Sequence, residues 1–389
     1  MKQKLILTRK QNHYESYLLE DDQLVELRID QNSQYRVGDI YIAKVKQVVK
    51  NIEACFVELN QKQKAYLSFR DCFNGIPIEG QEIMVQIVKE GLKTKDPVVT
   101  MEISIPHSYM VFSYQNTKMG VSEKISDKEE RQRLKSIFES RKSEAYGLIL
   151  RTNASNVPAE ELLKEFENGE RQFLTLIQNQ NHRTCYSMLY HSPSPFLELI
   201  RDIAMDSSLE IITDDMEIHQ EIESSDFLSS HLNTTLRLYE DSSFPIAKLY
   251  CLETKQKEAL SKKVWLPSGG YLIIEQTEAM VVIDVNTGKY SGKKSKEDTF
   301  FFINLEAAKE IARQIRLRNL SGILIIDFIN MKEDSKKQEL MKAFKNYVSK
   351  DKVKTVVVDI TSLGLVEVTR KKIRKTLAEQ VFQTEEDDE

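Results

Sequence analysis

A regular alternation of apolar strands and helices after residue 264 constrains the fold most. Three strand patterns end at VVID, GILIID and KTVVVD. They are separated by two helical patterns, FFINLEAAKEIARQIRLR and KKQELMKAFKNYVSK. Strand, helix and strand in this order predict a parallel sheet with right-handed crossovers. The preceding stretch VWLPSGGYLIIEQTEAMVVIDV predicts a hairpin-like pair of strands. The C-terminal part of the chain is therefore expected to be an α/β subdomain.

Each of these three strands ends in an aspartate, namely Asp284, Asp327 and Asp359. The carboxyl ends of parallel strands line the ligand crevice of an open sheet, so we expect Asp284 and Asp327 to lie close together. With the amide of Asn286 they offer hard oxygen ligands, which suit Mg²⁺ or Mn²⁺. A lone aspartate at a strand end more often caps a turn. Asp359 is either such a cap or an outer group of the site.

Positive charge is concentrated near these aspartates. Residues 251–380 carry a net charge of +8, residues 1–250 carry −8, and the acidic tail at 381–389 carries −5. Lysines 289, 293, 294 and 296 follow Asp284, and Lys309, Arg313 and Arg316 share one face of the next helix. This distribution suggests a polyanionic partner that Arg313 and Arg316 contact; a solvated lysine-rich surface is the alternative.

Residues 38–103 have the short strands and turns of a small barrel of the oligonucleotide-binding type. In ACFVELNQKQKAYLSF, period-two geometry directs Val57, Leu59, Leu67 and Phe69 inward and leaves Phe56 and Tyr66 on the outer face. Exposed aromatic rings beside lysines form a stacking platform for single-stranded bases. Burial of these rings under another domain is the alternative.

The remaining segments have less specific sequence patterns. Residues 1–36 predict a small strand meander, and residues 104–195 mix strands with helices, one strand ending in Arg151 and Thr152. No apolar run is long enough to span a membrane, and the four cysteines form no CxxC motif. We therefore expect a cytoplasmic protein without a zinc site.

Four long segments resemble the ribonuclease E/G family: GDIYIAKVKQVVKNIEACFVELNQKQKAYLSF, LPSGGYLIIEQTEAMVVIDVNTGKYSG, FFINLEAAKEIARQIRLRNLSGILIIDFINM and LGLVEVTRKKIRKTL. The resemblance implies a multi-subdomain α/β fold. It places an RNase H-like subdomain at 1–36 and 196–260, an S1 (OB-fold) barrel at 37–103, a 5′-sensor region at 104–195, and a DNase I-like catalytic subdomain at 261–380.

The resemblance also implies roles for individual residues. Asp284 and Asp327 match Mg²⁺-binding catalytic aspartates, and Asn286 matches an assisting asparagine. Phe56 and Tyr66 match aromatic residues that hold RNA, with Lys95 as their basic partner. Arg151, Thr152 and Val111 fall in the region that binds a 5′-monophosphate.

The chain departs from the family pattern in three places. The family's zinc-link and small C-terminal domain do not follow RKKIRKTL, so we expect a monomer or a dimer that zinc does not link. His107 replaces a common glycine in the sensor, where it either crowds the phosphate or donates to it. Asn330 replaces an aspartate near the metal site.

Together these features predict a Mg²⁺-dependent endoribonuclease that cleaves single-stranded RNA, and the family resemblance implies that it leaves 5′-phosphate and 3′-hydroxyl ends. Its expected substrates are rRNA or tRNA precursors or mRNA. The alternatives are a non-catalytic RNA-binding or ribosome-assembly factor, and a DNase or phosphodiesterase on the same sheet.

Overall fold

The structure is a computed structural model. It describes residues 2–11, 13–31, 35–73, 75–89, 91, 96–114, 116–141, 143–203, 208–225, 233–288 and 296–388. The chain divides into two compact units, one formed by residues 1–32 and 206–389 and the other by residues 33–205. The second unit is thus inserted into the sequence of the first. The division falls at residues 205 and 206, whereas the predicted boundary lay at residue 196.

The strands are, in chain order, β1 (Lys2–Lys10), β2 (His13–Glu20), β3 (Gln23–Gln31), β4 (Ile40–Val49), β5 (Ala54–Glu58), β6 (Lys64–Ser68), β7 (Glu82–Lys89), β8 (Val98–Thr100), β9 (Ser104–Pro106), β10 (Met110–Tyr114), β11 (Met119–Val121), β12 (Tyr146–Leu150), β13 (Met188–Tyr190), β14 (Ser208–Thr213), β15 (Thr234–Leu238), β16 (Lys263–Trp265), β17 (Tyr271–Gln276), β18 (Met280–Asn286), β19 (Gly322–Asp327), β20 (Thr355–Ile360) and β21 (Val366–Arg370).

The α-helices are α1 (Lys128–Phe138), α2 (Ala159–Asn179), α3 (Pro195–Asp202), α4 (Met216–Glu223), α5 (Ile246–Leu249), α6 (Leu252–Leu260), α7 (Lys296–Leu317), α8 (Asp334–Val348) and α9 (Leu377–Asp388).

The inserted unit contains a closed barrel and a second sheet. The barrel strands follow the order β4-β5-β6-β8-β7, and β7 pairs back with β4 to close it. Closure leaves these strands without a free edge, as the sequence pattern of an S1/OB-like subdomain predicts. Val57, Leu59 and Leu67 are fully buried inside it, which confirms the predicted inward face for these three residues. Phe69 lies just after β6 and is only partly buried against the same core. The second sheet has the order β11-β12-β10-β9, and its apolar side belongs to a core that includes residues of α1 and α2.

The other unit is built on two sheets. A five-stranded sheet has the order β15-β14-β1-β2-β3, in which β1 to β3 form the predicted antiparallel meander and β14 pairs in parallel with β1. A six-stranded sheet has the order β16-β17-β18-β19-β21-β20. Helices α7 and α8 contribute apolar residues to the core that covers one face of this second sheet.

The six-stranded sheet is mixed, which corrects the prediction of three consecutive parallel strands. Strands β18 and β19 are parallel, as expected. Strand β21 pairs antiparallel with both β19 and β20, so it separates the third apolar strand from β19 and leaves β20 at the sheet edge. Asp359 therefore lies two strands away from Asp327.

Candidate active site

The central feature of the site is a pair of aspartates on neighbouring parallel strands. Asp284 and Asp327 are direct register partners of β18 and β19. Ile283, Val285 and Ile326 point into the core and are at most 5% exposed. Because side chains alternate along a strand, the two aspartates both project from the opposite, open face. The structure thus brings together the two carboxylates that the strand endings predicted.

Asn286 completes this group. It follows Asp284 on the same face, and its Nδ2 donates a hydrogen bond to Asp284 Oδ2 over 2.7 Å. This bond fixes the orientation of one carboxylate toward the strand end. The amide therefore contacts the aspartate directly.

The electrostatics of the pair favour a bound cation. Partial burial, followed by the negative charge of Asp284, raises the pKa of Asp327 above its ordinary value. A divalent cation held by these carboxylates would remove that repulsion, and Mg²⁺ characteristically binds through one or two carboxylates while keeping several other ligands. Within the described ranges no group of three His, Cys, Asp or Glu side chains could hold a metal ion. The two carboxylates, with the Asn286 amide beside them, are a donor set that fits Mg²⁺.

Glycines shape the backbone around the strand end. Gly288 has φ +58°, and a Cβ there would lie 2.1 Å from the carbonyl oxygen of Gly269. A Cβ on Gly270 would lie 2.9 Å from the carbonyl oxygen of Asn286. The PSGG loop between β16 and β17 therefore packs directly against the end of β18, at a distance that only glycine permits.

Helix α7 supports both edges of the site through buried polar contacts. Asn304 is fully buried, its Nδ2 donates to the carbonyl of Ile329 over 2.8 Å, and its Oδ1 accepts from the amide of Ile329 over 3.0 Å. Two residues along the helix, Glu306 Oε2 accepts a hydrogen bond from the amide of Ser268 in the PSGG loop. Asn304 thus fixes the chain two residues beyond Asp327. Sequence reasoning missed this residue, although an asparagine beside the apolar stripe of a helix was a usable signal.

The two arginines of the helix face predicted to contact RNA form intramolecular contacts. Arg313 forms an ion pair with Glu310 and donates to the carbonyl of Leu24. Arg316 forms ion pairs with Glu20 at 3.1 Å and with Glu26 at 3.4 Å. Both guanidinium groups are thus engaged with strands β2 and β3 or with their own helix, and their contact with RNA stays a prediction.

The outer face of the barrel carries the predicted aromatic pair. Phe56 and Tyr66 are direct cross-strand partners, and their ring centroids lie 6.0 Å apart in an edge-to-face arrangement. Both side chains are only partly exposed. Lys46, on the preceding strand, forms an ion pair with Glu58 at 3.0 Å. The predicted RNA contact Lys95 and the lysines at 289, 293 and 294 lie outside the described residues.

The predicted sensor residues lie around one end of the β10–β12 pair. Val111 is the cross-strand partner of Ile149, two residues before Arg151. The Arg151 guanidinium donates to Asp202 over 2.7 Å and to the carbonyl of His107 over 2.8 Å. Thr152 is exposed, and its hydroxyl lies 3.2 Å from that of Ser122. The three residues are thus near one another, with the arginine already bound to a carboxylate.

His107 is partly buried beside this cluster. Its ring meets Phe112 edge-on at 5.6 Å, and a Cβ on Gly169 of α2 would lie 3.0 Å from its Nε2. Burial, followed by the positive charge of Arg201, lowers the pKa of His107 to about 4. The imidazole is therefore neutral at physiological pH.

The fold and the site define a two-unit α/β protein with an acidic site at strand ends and an OB-like barrel. A sequence profile of the Ribonuclease E/G family matches residues 104–373. Ribonuclease G of Haemophilus influenzae is 35% identical over 394 residues, which cover 96% of this chain and 80% of that protein. Ribonuclease G of Escherichia coli K12 is 35% identical over 376 residues, covering 91% and 76%. Ribonuclease E of Synechocystis is 31% identical over 396 residues, covering 97% and 58%. The chain belongs to the ribonuclease E/G family.

Proposed function

We propose that this protein is an endoribonuclease that hydrolyses single-stranded RNA at a Mg²⁺ site held by Asp284 and Asp327. One observation carries the proposal: the two carboxylates are register partners on parallel strands and share the open face of the sheet. Family membership supports the ribonuclease activity. Mn²⁺ has the same ligand preference and is expected to substitute for Mg²⁺.

Each side chain of the site has a separate role in this proposal. Asp284 and Asp327 hold the cation, and Asn286 keeps the Asp284 carboxylate in a fixed orientation. A cation bound there supplies Lewis-acid stabilisation of the charge that develops at the scissile phosphate and lowers the pKa of water. Asn304 positions the chain after Asp327 through Ile329. Water attacks phosphorus and gives up a proton, the bond between phosphorus and O3′ breaks, and the departing O3′ takes up a proton. The products therefore carry a 5′-phosphate and a 3′-hydroxyl.

Other parts of the chain supply RNA binding in this proposal. Phe56 and Tyr66 offer rings on which successive bases stack without sequence preference. Arg151, Thr152 and Val111 form the 5′-phosphate contact, in which an RNA phosphate competes with Asp202 for the arginine. The six-stranded sheet corresponds to the DNase I-like catalytic subdomain and the five-stranded sheet to the RNase H-like subdomain. The substrates are rRNA or tRNA precursors or mRNA.

A cleavage assay with a fluorogenic single-stranded RNA and Mg²⁺ tests the proposal. We expect cleavage by the wild type and a loss of at least about 100-fold with Asp327→Asn, since second-shell changes alone often cost 10–100-fold at metal sites. Asp359→Asn is the matched control. It also removes an aspartate at the end of a strand, but Asp359 lies at the sheet edge and accepts a hydrogen bond from the Ile360 amide. It should retain activity.

The results also separate the alternatives. Binding of RNA without cleavage by the wild type would indicate a non-catalytic RNA-binding factor. Equal cleavage of the DNA version of the substrate would indicate a general nuclease or phosphodiesterase. Mapping of the product ends tests the proposed polarity of cleavage.

A further inference from the structure

A lysine lies between two aromatic rings at one edge of the six-stranded sheet. The Nζ atom of Lys263 lies 3.9 Å from the ring centroid of Trp265 and 3.8 Å from that of Tyr271. The two rings meet edge-to-face at 5.4 Å. Trp265 is 63% exposed although it is a large aromatic residue. We call these three residues the lysine–aromatic cluster.

The cluster lies in register with the candidate active site. Tyr271 is the direct cross-strand partner of Asn286. Lys263 pairs with Ile273, and Ile273 pairs with Asp284 on the next strand. Because strands are about 4.8 Å apart, Lys263 lies roughly 10 Å from Asp284 along the same row of the sheet. The cluster is therefore continuous with the metal-binding residues.

Burial alone does not account for this arrangement. An indole that keeps most of its surface in water gains little hydrophobic stabilisation. Cation–π contacts order the Lys263 ammonium beside the exposed ring. An ordered cation next to an open aromatic face matches a nucleotide, which has a flat π-face and an anionic phosphate. The neighbouring Lys262 differs, since its ammonium forms an ion pair with Glu275.

We propose that the lysine–aromatic cluster binds a nucleotide of single-stranded RNA that flanks the scissile phosphate. A base stacks on Trp265, and Lys263 contacts a phosphate. This inference rests on the proposed ribonuclease function, and it assigns to β16 and β17 the positioning of the RNA strand relative to Asp284. Because stacking accepts any base, the cluster orients the RNA without reading its sequence.

Fluorescence tests base contact directly, because Trp265 is the chain's single tryptophan. Titration with a short single-stranded RNA should quench the emission, and it should do so in Asp327→Asn as well as in the wild type. Anisotropy of a labelled copy of the same RNA shows when binding is saturated. Unchanged emission at saturation, or failure of this RNA to bind, overturns the inference. This readout does not require cleavage, so it is distinguishable from a failure of the proposed function.

Kinetics then test what the contact does. Trp265→Ala should raise KM about fivefold or more and change kcat little, in line with the alanine-substitution cost of a base–aromatic stack. Phe382→Ala is the matched control, because it removes another exposed ring of the same unit that is 60% exposed. Equal KM values for Trp265→Ala and the wild type would contradict stacking.

Salt dependence tests the phosphate contact. Each phosphate contact to single-stranded nucleic acid contributes about −0.7 to the slope of a plot of the logarithm of the binding constant against the logarithm of the salt concentration. Lys263→Met should therefore make the slope shallower by about 0.7. Lys262→Met should leave it unchanged. Identical slopes for the two variants would remove Lys263 from the RNA contact.

Discussion

Replacement of one aspartate of the pair should stabilise the folded protein in the absence of divalent cations. Asp284 and Asp327 face each other across adjacent strands, and the negative charge of Asp284 contributes to the raised pKa of Asp327. In Asp327→Asn this repulsion disappears, and an amide of almost the same shape replaces the carboxylate. The protein should therefore gain stability while it loses activity.

The expected gain is small and follows from the geometry. Strands about 4.8 Å apart place the two charges at a separation where repulsion is about 1 kcal/mol in water. Both side chains are exposed, so solvent screens the interaction and the aqueous value is the appropriate one. A gain of about 1 kcal/mol corresponds to a rise in Tm of roughly 2–4 °C for a domain of about 200 residues.

Thermal unfolding in EDTA and in Mg²⁺ measures this effect. In EDTA we expect Asp327→Asn to melt above the wild type, and the double variant Asp284→Asn/Asp327→Asn to gain little more, because one substitution already removes the repulsion. Mg²⁺ at about 100 times its Kd should stabilise the wild type by about 2.7 kcal/mol, and it should not stabilise the single variant equally. Asp359→Asn is again the control. A fall in Tm for Asp327→Asn in EDTA, or no response of the wild type to Mg²⁺, would refute the reasoning.

Three further predictions concern other residues. Phe56→Ala should weaken RNA binding by about 1–3 kcal/mol in a titration, and unchanged affinity would show that the ring only packs. Asn304→Leu should cost about 2–4 kcal/mol in urea unfolding and lower kcat/KM, because both backbone groups of Ile329 lose their partner. Asn304→Asp should be at least as destabilising, because its buried carboxylate would face the Ile329 carbonyl oxygen. His107 has a lowered pKa of about 4, so the unfolded chain binds the proton first and stability falls as pH drops from about 6.5 toward 4. His107→Gln should flatten this loss in melts at a series of pH values, and an unchanged profile would assign the acid sensitivity to other groups.

Local patterns in the sequence predicted the parts of the fold that depend on neighbouring residues. The alternation of Phe56 and Val57 fixed which side of the barrel hairpin is buried, because strand side chains have a strict period of two. The aspartate pair was also predictable, since parallel strands joined by one helix place their carboxyl ends at the same edge.

Long-range pairing was not predictable in the same way. Strand β21 separates β19 from β20, and no local periodicity reveals which strand inserts between two others. The engagement of Arg316 with Glu20 and Glu26 likewise depends on strands almost 300 positions earlier in the sequence. A basic helix face has the same sequence pattern whether its partner is RNA or a carboxylate on another strand.

Insertion of residues 33–205 into the other unit has a consequence for biosynthesis. Strand β1 pairs in parallel with β14, and Lys2 is the register partner of Ser208. This part of the sheet therefore cannot form until residue 208 has been synthesised. The inserted unit has its own buried cores and can fold while the meander of β1 to β3 is still incomplete on one side. Non-local pairing of this kind slows folding, and open strand edges favour aggregation. We expect the order of events on the ribosome to be barrel first, five-stranded sheet second and catalytic sheet last.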